Sequence, residues 1–310
     1  MPGGSVECRL DNASDLVSVL AALTLREKDQ KNQSVVCVAS GNGLKFTAQS
    51  SGKDVAVLGW IFKDAFAEYS FHSSNDEDLV LKLPVAPLLS CLTIFTERAA
   101  LMLRYPEGAH ELQFSLEEDG AFTECRLKTL VIDEVPEAAP AFLAPGERPS
   151  SFRAKQAEVW CAALSEFQEL DAPDVVMKVT FRAPAESPEA PAVILKANTI
   201  GSDAEVELAH SSLEEIELAE QAATAGEITH SYLLSSVLAG CLKAAKESRA
   251  VKVRFNQHGV MSNQFILRSR GRQLLCEALV CPTAEQVLNG PGLPAHHQSQ
   301  SIPASESMGY

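Results

Sequence analysis

Cys91-Leu92-Thr93-Ile94-Phe95-Thr96-Glu97-Arg98-Ala99-Ala100-Leu101-Met102-Leu103-Arg104-Tyr105 returns at 241 as Cys241-Leu242-Lys243-Ala244-Ala245-Lys246-Glu247-Ser248-Arg249-Ala250-Val251-Lys252-Val253-Arg254-Phe255. Cysteine, leucine, glutamate, alanine and arginine recur in register, and an aromatic residue closes each copy. After one inserted residue the match resumes, with Gly120 answering Gly271 and Cys125 answering Cys276. A period of this length implies two copies of one unit, and so an architecture that gains from stacking two like modules.

Composition supplies material for both copies. At 310 residues and 46% hydrophobic, the chain is long enough for two domains of roughly 130 to 150 residues each. Its longest apolar stretches, 16–25 and 88–95, are interrupted by Ser or Thr and fall well short of the roughly 20 residues of a bilayer crossing, so no membrane association is expected. The start, Met1 through Glu7, lacks a basic region followed by a long apolar one and does not read as a secretion signal. None of the eight cysteines lies in Cys-x-x-Cys. Most sit in apolar runs such as Val36-Cys37-Val38 and Trp160-Cys161-Ala162, where a thiol acts as a small hydrophobe in a reducing compartment. Cys276 and Cys281 with His296-His297 come nearest to a metal pattern, but that spacing matches no common zinc site. Neither metal nor cofactor is expected.

Hydrophobic periodicity gives the same element order in each half. In the first, a short strand at 6–10 precedes an amphipathic helix capped by Asn12 or Ser14, with Leu16, Val17, Val19, Leu20 and Leu23 on one face. Strands at 35–39 and 44–48 flank Gly41-Asn42-Gly43, a hairpin signal, and further strands fall at 55–60, 68–71 and 79–83. A second helix opens at Pro84, and strands at 101–105, 112–116 and 122–127 close the unit. The second half reads as a strand at 152–154, a helix over 155–170, strands at 175–181, 192–197, 205–210, 215–219 and 227–230, a helix over 232–245, and strands at 251–255, 260–267 and 273–281. The reading is an α+β chain: domain 1 over 1–130, a connector over 131–150 rich in Pro, Ala and Glu, domain 2 over 151–285, and a tail over 286–310 too polar to bury anything.

Two like units of two helices and many strands, joined by an acidic connector, resemble the sliding-clamp fold of PCNA. The wording of particular segments is similar to the Rad-one type subunit of the heterotrimeric 9-1-1 checkpoint clamp: Leu10-Asp11-Asn12, Leu16 through Leu25-Arg26-Glu27, Gly43-Leu44-Lys45-Phe46-Thr47, Leu88 through Phe95, Phe114 through Gly120, and Cys281-Pro282. The resemblance covers about residues 5 to 285 and rests on order and spacing, since no single motif is diagnostic. It implies a nuclear, non-catalytic subunit of a ring that encircles double-stranded DNA in damage checkpoint signalling and repair. It further implies two other clamp subunits of the 9-1-1 type, loading by an ATP-driven clamp loader, and recruitment of repair and signalling proteins.

That architecture bears on the net charge of −15, which on its own argues against nucleic acid. In a clamp, sheets form the outer wall and helices line the hole, so positive charge is needed only on inward faces. Arg26 and Lys28 at the end of the first helix, Lys155 at the start of the third, and Lys243 and Lys246 at the end of the fourth are the expected phosphate contacts, sequence-independent and salt-dependent. The second helix has no basic residue. A ring also needs an open strand at each end of the chain; by resemblance these hold Phe122, Glu124, Arg126 and Leu127 on one side and Glu205, Val206 and Leu208 on the other. Val131, Ile132 and Val135 in the connector offer apolar contacts to partners.

Two other functions compete. A 3′ to 5′ exonuclease would need carboxylates converging on paired ions, and the one Asp-x-Glu, Asp203-Ala204-Glu205, follows Gly201-Ser202 and reads as a turn. The acidic clusters at 76–78 and 117–119 read as solvated loop charge, and no nucleophile elbow or phosphate loop occurs. Arg268-Ser269-Arg270-Gly271-Arg272 could grip phosphate at a hairpin tip or form a soluble turn. A homotrimeric replication clamp is the other alternative.

Overall fold

The computed structural model describes residues 4–26, 32–75, 77–95, 98–132, 142–170, 172, 174–183, 187–219, 224–269 and 272–283. The first half runs β1 (Gly4–Leu10), α1 (Ala13–Ala22), β2 (Ser34–Ser40), β3 (Gly43–Gln49), β4 (Val55–Phe62), β5 (Glu68–Ser73), β6 (Leu79–Pro84), α2 (Val85–Leu92), β7 (Ala100–Tyr105), β8 (Glu111–Glu118) and β9 (Ala121–Lys128). The second runs β10 (Ser150–Ala154), α3 (Ala157–Ser165), β11 (Val176–Arg182), β12 (Pro191–Asn198), β13 (Asp203–Ala209), β14 (Leu213–Glu217), β15 (Glu227–Leu233), α4 (Leu234–Glu247), β16 (Ser248–Phe255), β17 (Met261–Leu267) and β18 (Leu274–Val280). Element answers element between the halves, as the repeated passage requires.

Strand pairing repeats as well. In the first half the order is β5-β1-β7-β8-β9 alongside β4-β3-β2-β6; in the second it is β14-β10-β16-β17-β18 alongside β13-β12-β11-β15. All pairings are antiparallel, and β18 of the second half pairs with β4 of the first, with Cys276 opposite Gly59 and Ala278 opposite Val57. This pairing fuses nine strands into one sheet that crosses the boundary between the copies. The hairpin read at Gly41-Asn42-Gly43 depends on its last residue: Gly43 has φ +126° and a Cβ there would stand 2.3 Å from the Ile61 carbonyl oxygen, so only glycine fits.

Side chains alternate by face along each strand, and the helices cover the apolar face. Leu16, Val19, Leu20 and Leu23 of the first helical segment are fully buried, as are Trp160, Leu164 and Phe167 near α3 and Val237, Leu238 and Cys241 of α4. The second half adds an aromatic cluster: Phe152 lies 5.6 Å from Trp160 and 5.5 Å from Phe181, centroid to centroid. Helices α1 and α4 both pack across the β4–β18 junction. A Cβ on Gly59 would stand 2.7 Å from Val19 Cγ1 of α1, and one on Gly240 of α4 would stand 2.7 Å from Val55 Cγ1 of β4. The boundary is thus closed by backbone approaching side chain at two places.

A polar weld completes the junction. Asp54, ahead of β4, accepts hydrogen bonds from Ser50 Oγ at 2.6 Å and from Ser236 Oγ of α4, and its carbonyl accepts from Cys281 N–H at 2.8 Å. Partial burial pushes the Asp54 carboxyl upward, but the bonds from Ser236, Ser50 and its own N–H prevail and hold it below its ordinary value.

The halves differ in one hairpin, which corrects the alignment read from the sequence. Following the ladders outward from β1, the first copy runs Cys8–Leu103–Phe114–Cys125, and from β10 the second runs Phe152–Val253–Asn263–Ala278. Cys125 therefore answers Ala278, while Cys276 answers Thr123. The cause is the turn: Asp119-Gly120 alone joins β8 to β9, both with positive φ as a tight hairpin requires, whereas residues 268–273 join β17 to β18. Helix boundaries also move, and α3 ends at Ser165, short of the expected 170, with a separate tight turn over Gln168–Leu170. The third helix begins at Ala157 because Gln156 is extended, and the fourth begins at Leu234 because Tyr232 and Leu233 complete β15 against Met177 and Val176. Asn12 occupies the cap position of α1, but its side chain makes no capping bond; the Ala13 N–H donates to Ala99 O at 2.8 Å instead. The tail over 286–310 lies outside the described residues.

Gly240→Ala gains roughly 1 kcal/mol of helix propensity. It forces a methyl onto a stiff, fully buried valine, at a cost of about 1 to 3 kcal/mol. A net loss of stability is expected, read as a lower urea midpoint with unchanged slope. For Asp54, a depressed folded-state pKa means that its contribution is present above the ordinary aspartate range and is lost as pH falls through the folded value. Asp54→Asn should be less stable than the parent at neutral pH, with the difference shrinking in acid-unfolding curves as pH falls through that range.

Candidate subunit and nucleic-acid interfaces

Six strands end sheets among the described residues, and two of them, β9 and β13, are the edges that the repeat singles out. Strand β9 ends the first-half sheet and β13 ends the second-half sheet. On β9, Phe122, Glu124, Arg126 and Lys128 are exposed, Phe122 to 60%, while Thr123, Cys125 and Leu127 are half-buried against the core side. On β13, Asp203, Glu205 and Glu207 face out, Leu208 is buried, and Ala204 and Val206 are half-buried. Apolar residues alternate with charged ones on both strands, as in a strand whose inner face is meant to be covered. The structure thus keeps Glu205 on the expected edge strand and starts that strand at Asp203, where the sequence suggested a turn. Lys196 of β12 donates to Glu205 at 2.7 Å, and that contact raises the lysine pKa.

The junction between the halves shows how such edges meet. By ladder position, Gly59 of β4 answers Val206 of β13, because Leu81–Cys37–Phe46–Gly59 and His230–Val179–Leu195–Val206 are equivalent rungs. Since β18 answers β9, the internal β18–β4 pair has a counterpart within the chain that is split between its two ends: β9 and β13. Helix α2, which packs on β9, adds an apolar rim in the half-buried Leu89 and Phe95 and in Ile94, 53% exposed.

The basic residues fall on or beside the helix layer. Lys243 and Lys246 occupy the last turns of α4, the first half-buried and the second exposed. Burial lowers the Lys243 pKa. Arg26 and Lys155 are exposed, but neither is helical: α1 ends at Ala22, and Lys155 precedes α3, its N–H donating to Ser212 O at 3.1 Å. Lys28 lies outside the described residues. Acidic Glu158 of α3, Glu166 just past its end and Glu247 of α4 are exposed as well, so the cations are local spots within a mixed surface.

The Arg-rich turn between β17 and β18 has partners that sequence reading missed. Arg268 pairs with Glu158, Arg272 pairs with Asp11 at 2.5 Å, and Ser269 Oγ donates to the buried Asp15 at 2.7 Å. A hairpin of the second half is thereby held to the start of α1 in the first. The connector is anchored at each end: Leu130 N–H donates to Lys82 O at 2.8 Å, and Asn256 Nδ2 donates to Phe142 O at 2.8 Å. The Arg254 guanidinium lies 4.5 Å from the Phe142 ring centroid and pairs with Glu277 at 2.6 Å. Val131 is 78% exposed and Ile132 half-buried; Val135 lies outside the described residues. Among the described residues no cluster of three or more His, Cys, Asp or Glu is arranged to hold a metal ion, and no helix is long and apolar enough to cross a membrane.

The model of the repair protein Rad1/Rec1/Rad17 family matches residues 5–267. Curated relatives include the cell cycle checkpoint protein RAD1 of Mus musculus, 27% identical over 283 residues covering 89% of this chain and 91% of that protein. The human protein of the same name is 26% identical over 288 residues, covering 91% and 93%. Among solved structures, the PCNA2–PCNA3 complex from Sulfolobus tokodaii aligns with a TM-score of 0.67 at 15% identity, covering 89% of this chain and 98% of that one. Proliferating Cellular Nuclear Antigen from Entamoeba histolytica aligns with a TM-score of 0.69 at 14% identity, covering 91% and 100%. At these identities the structural likeness establishes the sliding-clamp fold.

Proposed function

This chain belongs to the repair protein Rad1/Rec1/Rad17 family, and on that premise we propose that it is a non-catalytic arc of a heterotrimeric ring clamp, closed around double-stranded DNA during damage checkpoint signalling and repair in the nucleus. The observation that carries the reading is the internal β18–β4 junction. It supplies a worked case of one clamp module joining the next by strand addition, and it leaves β9 and β13 as the same two strands unused. An interface of that head-to-tail kind generates a ring when the rotation closes. Strand addition supplies backbone hydrogen bonds, and the half-buried residues Thr123, Cys125 and Val206 with the buried Leu208 supply the apolar contact.

Two further clamp subunits of the 9-1-1 type are the proposed neighbours, one at each edge. The chain contributes a first clamp domain over 1–130, a connector over 131–150 and a second domain over 151–285. Arg26, Lys28, Lys155, Lys243 and Lys246 would meet the phosphate backbone without reading bases. The acidic remainder of the surface keeps DNA off the outside of the ring. An ATP-driven loader would open and close the ring, and the exposed Val131 and half-buried Ile132, with Val135, would receive apolar segments of repair and signalling proteins.

Co-expression with two candidate clamp subunits should give a species of one copy each by native mass measurement. Thr123→Asp places a carboxylate on the inner face of the proposed joint, and burying it unpaired is costly. That variant should melt like the parent yet lose the neighbour at the β9 edge. A stable self-assembled trimer of the parent, or an intact mixed ring with Thr123→Asp, would overturn the reading. Within an assembled ring, Lys243→Gln with Lys246→Gln should lower the slope of log affinity for DNA against log salt by roughly one unit per lost phosphate contact.

A further inference from the structure

Resting on the strand-addition reading above, the geometry points to Glu124 as the residue that prevents this subunit from closing a ring with copies of itself. The register of a self-joint follows from the fused one. Ala278 stands opposite Val57 at the internal junction; Cys125 answers Ala278, and Ala204 answers Val57. Cys125 would therefore face Ala204 of a second copy, and Thr123 would face Val206. Inner residues meet inner residues, so the backbone and the half-buried face of the two edges are compatible.

The outer face is where a self-joint fails. At the fused junction, each outer pair is apolar or has an apolar member: Leu275 with Trp60, Glu277 with Leu58, and Leu279 with Ala56. In a self-joint the same three places hold Phe122 with Glu207, Glu124 with Glu205, and Arg126 with Asp203. Arg126 with Asp203 is attractive. Glu124 directly faces a glutamate and has Asp203 and Glu207 as its diagonal neighbours. Sliding the register by two residues, as the Cys125-to-Cys276 match in sequence would have it, brings Glu124 opposite Glu207, so no in-phase alternative within that slip relieves the repulsion. Lys196 partly offsets the charge of Glu205, which leaves Glu124 as the carboxylate with the most to gain from a different partner. The neighbour that β13 accepts is therefore a clamp edge strand carrying Lys or Arg where this chain has Glu124.

Like charges directly opposite on paired strands are destabilising, and reversing one makes the pair attractive, a swing worth roughly tenfold in dissociation constant per joint. Three joints in a closed ring compound that factor. The test is a charge-swap cycle on the full chain. The parent should sediment as a monomer across the accessible concentration range. Glu124→Lys and Glu205→Lys should each shift the chain toward closed self-assemblies, with Glu124→Gln in between. The double variant, with lysine facing lysine, should return to monomer. A parent that self-assembles, single variants no stickier than the parent, or a double variant as associated as the singles would each overturn the assignment. Its failure is separable from that of the strand-addition reading: if Thr123→Asp abolishes the mixed ring while the charge variants change nothing, the joint stands and Glu124 is not its filter. If Thr123→Asp leaves the mixed ring intact, the joint itself falls.

Discussion

Everything in this molecule is arranged around one antiparallel ladder, β18 against β4, which joins the end of the chain's second copy to the middle of its first. A strand edge left open is a liability as well as an opportunity, and here one of each kind has been consumed internally. Its closeness is enforced from above by glycine: Gly59 lets α1 lie on β4, and Gly240 lets α4 lie on Val55. The register of that ladder then identifies which faces of β9 and β13 correspond to its own inner face, and so what kind of neighbour each can take.

The same ladder accounts for how an acidic protein can serve a polyanion. Fusing the sheets puts α1 and α4 side by side, with α2 packed on α1 and α3 on α4, so Lys243 and Lys246 lie on a helix layer that the fold assembles from both halves. The positive charge there is modest. Glu158 and Glu166 sit among the cations, and Lys243 gives up part of its hydration. A surface of this sort would favour passing contact with phosphates over tight capture, in keeping with the ring proposed above.

Much of this was legible in the residues, and the boundary of legibility is physical. Hydrophobic period and turn chemistry located the four named helices and the strands to within a few residues, because burial of one face imposes a pattern on the local sequence. The repeat exposed the duplication. What local pattern could not carry was long-range pairing. The match of Cys125 with Cys276 was attractive as sequence, yet a longer turn in the second copy shifts the ladder. Arg26 and Lys155 read as helix ends because charge commonly sits there, but the helices stop short of both. Asp203-Ala204 read as a turn ahead of the strand from Glu205 because Gly201 precedes them, whereas pairing with β12 starts the strand at Asp203. Asp54, Asp11 and Asp15 were silent in the sequence because their partners lie far away along the chain.

The hairpin between β17 and β18 carries a mechanical consequence. The sheet binds the halves by one set of contacts, while Ser269 and Arg272 reach across to Asp15 and Asp11 by another. Stitched twice, the boundary resists bending, and the subunit behaves as a stiff bracket instead of a pair of hinged plates. In any annulus assembled from such brackets, compliance resides in the seams between neighbours, and a force that parts the circle is delivered to a seam nearly undiminished.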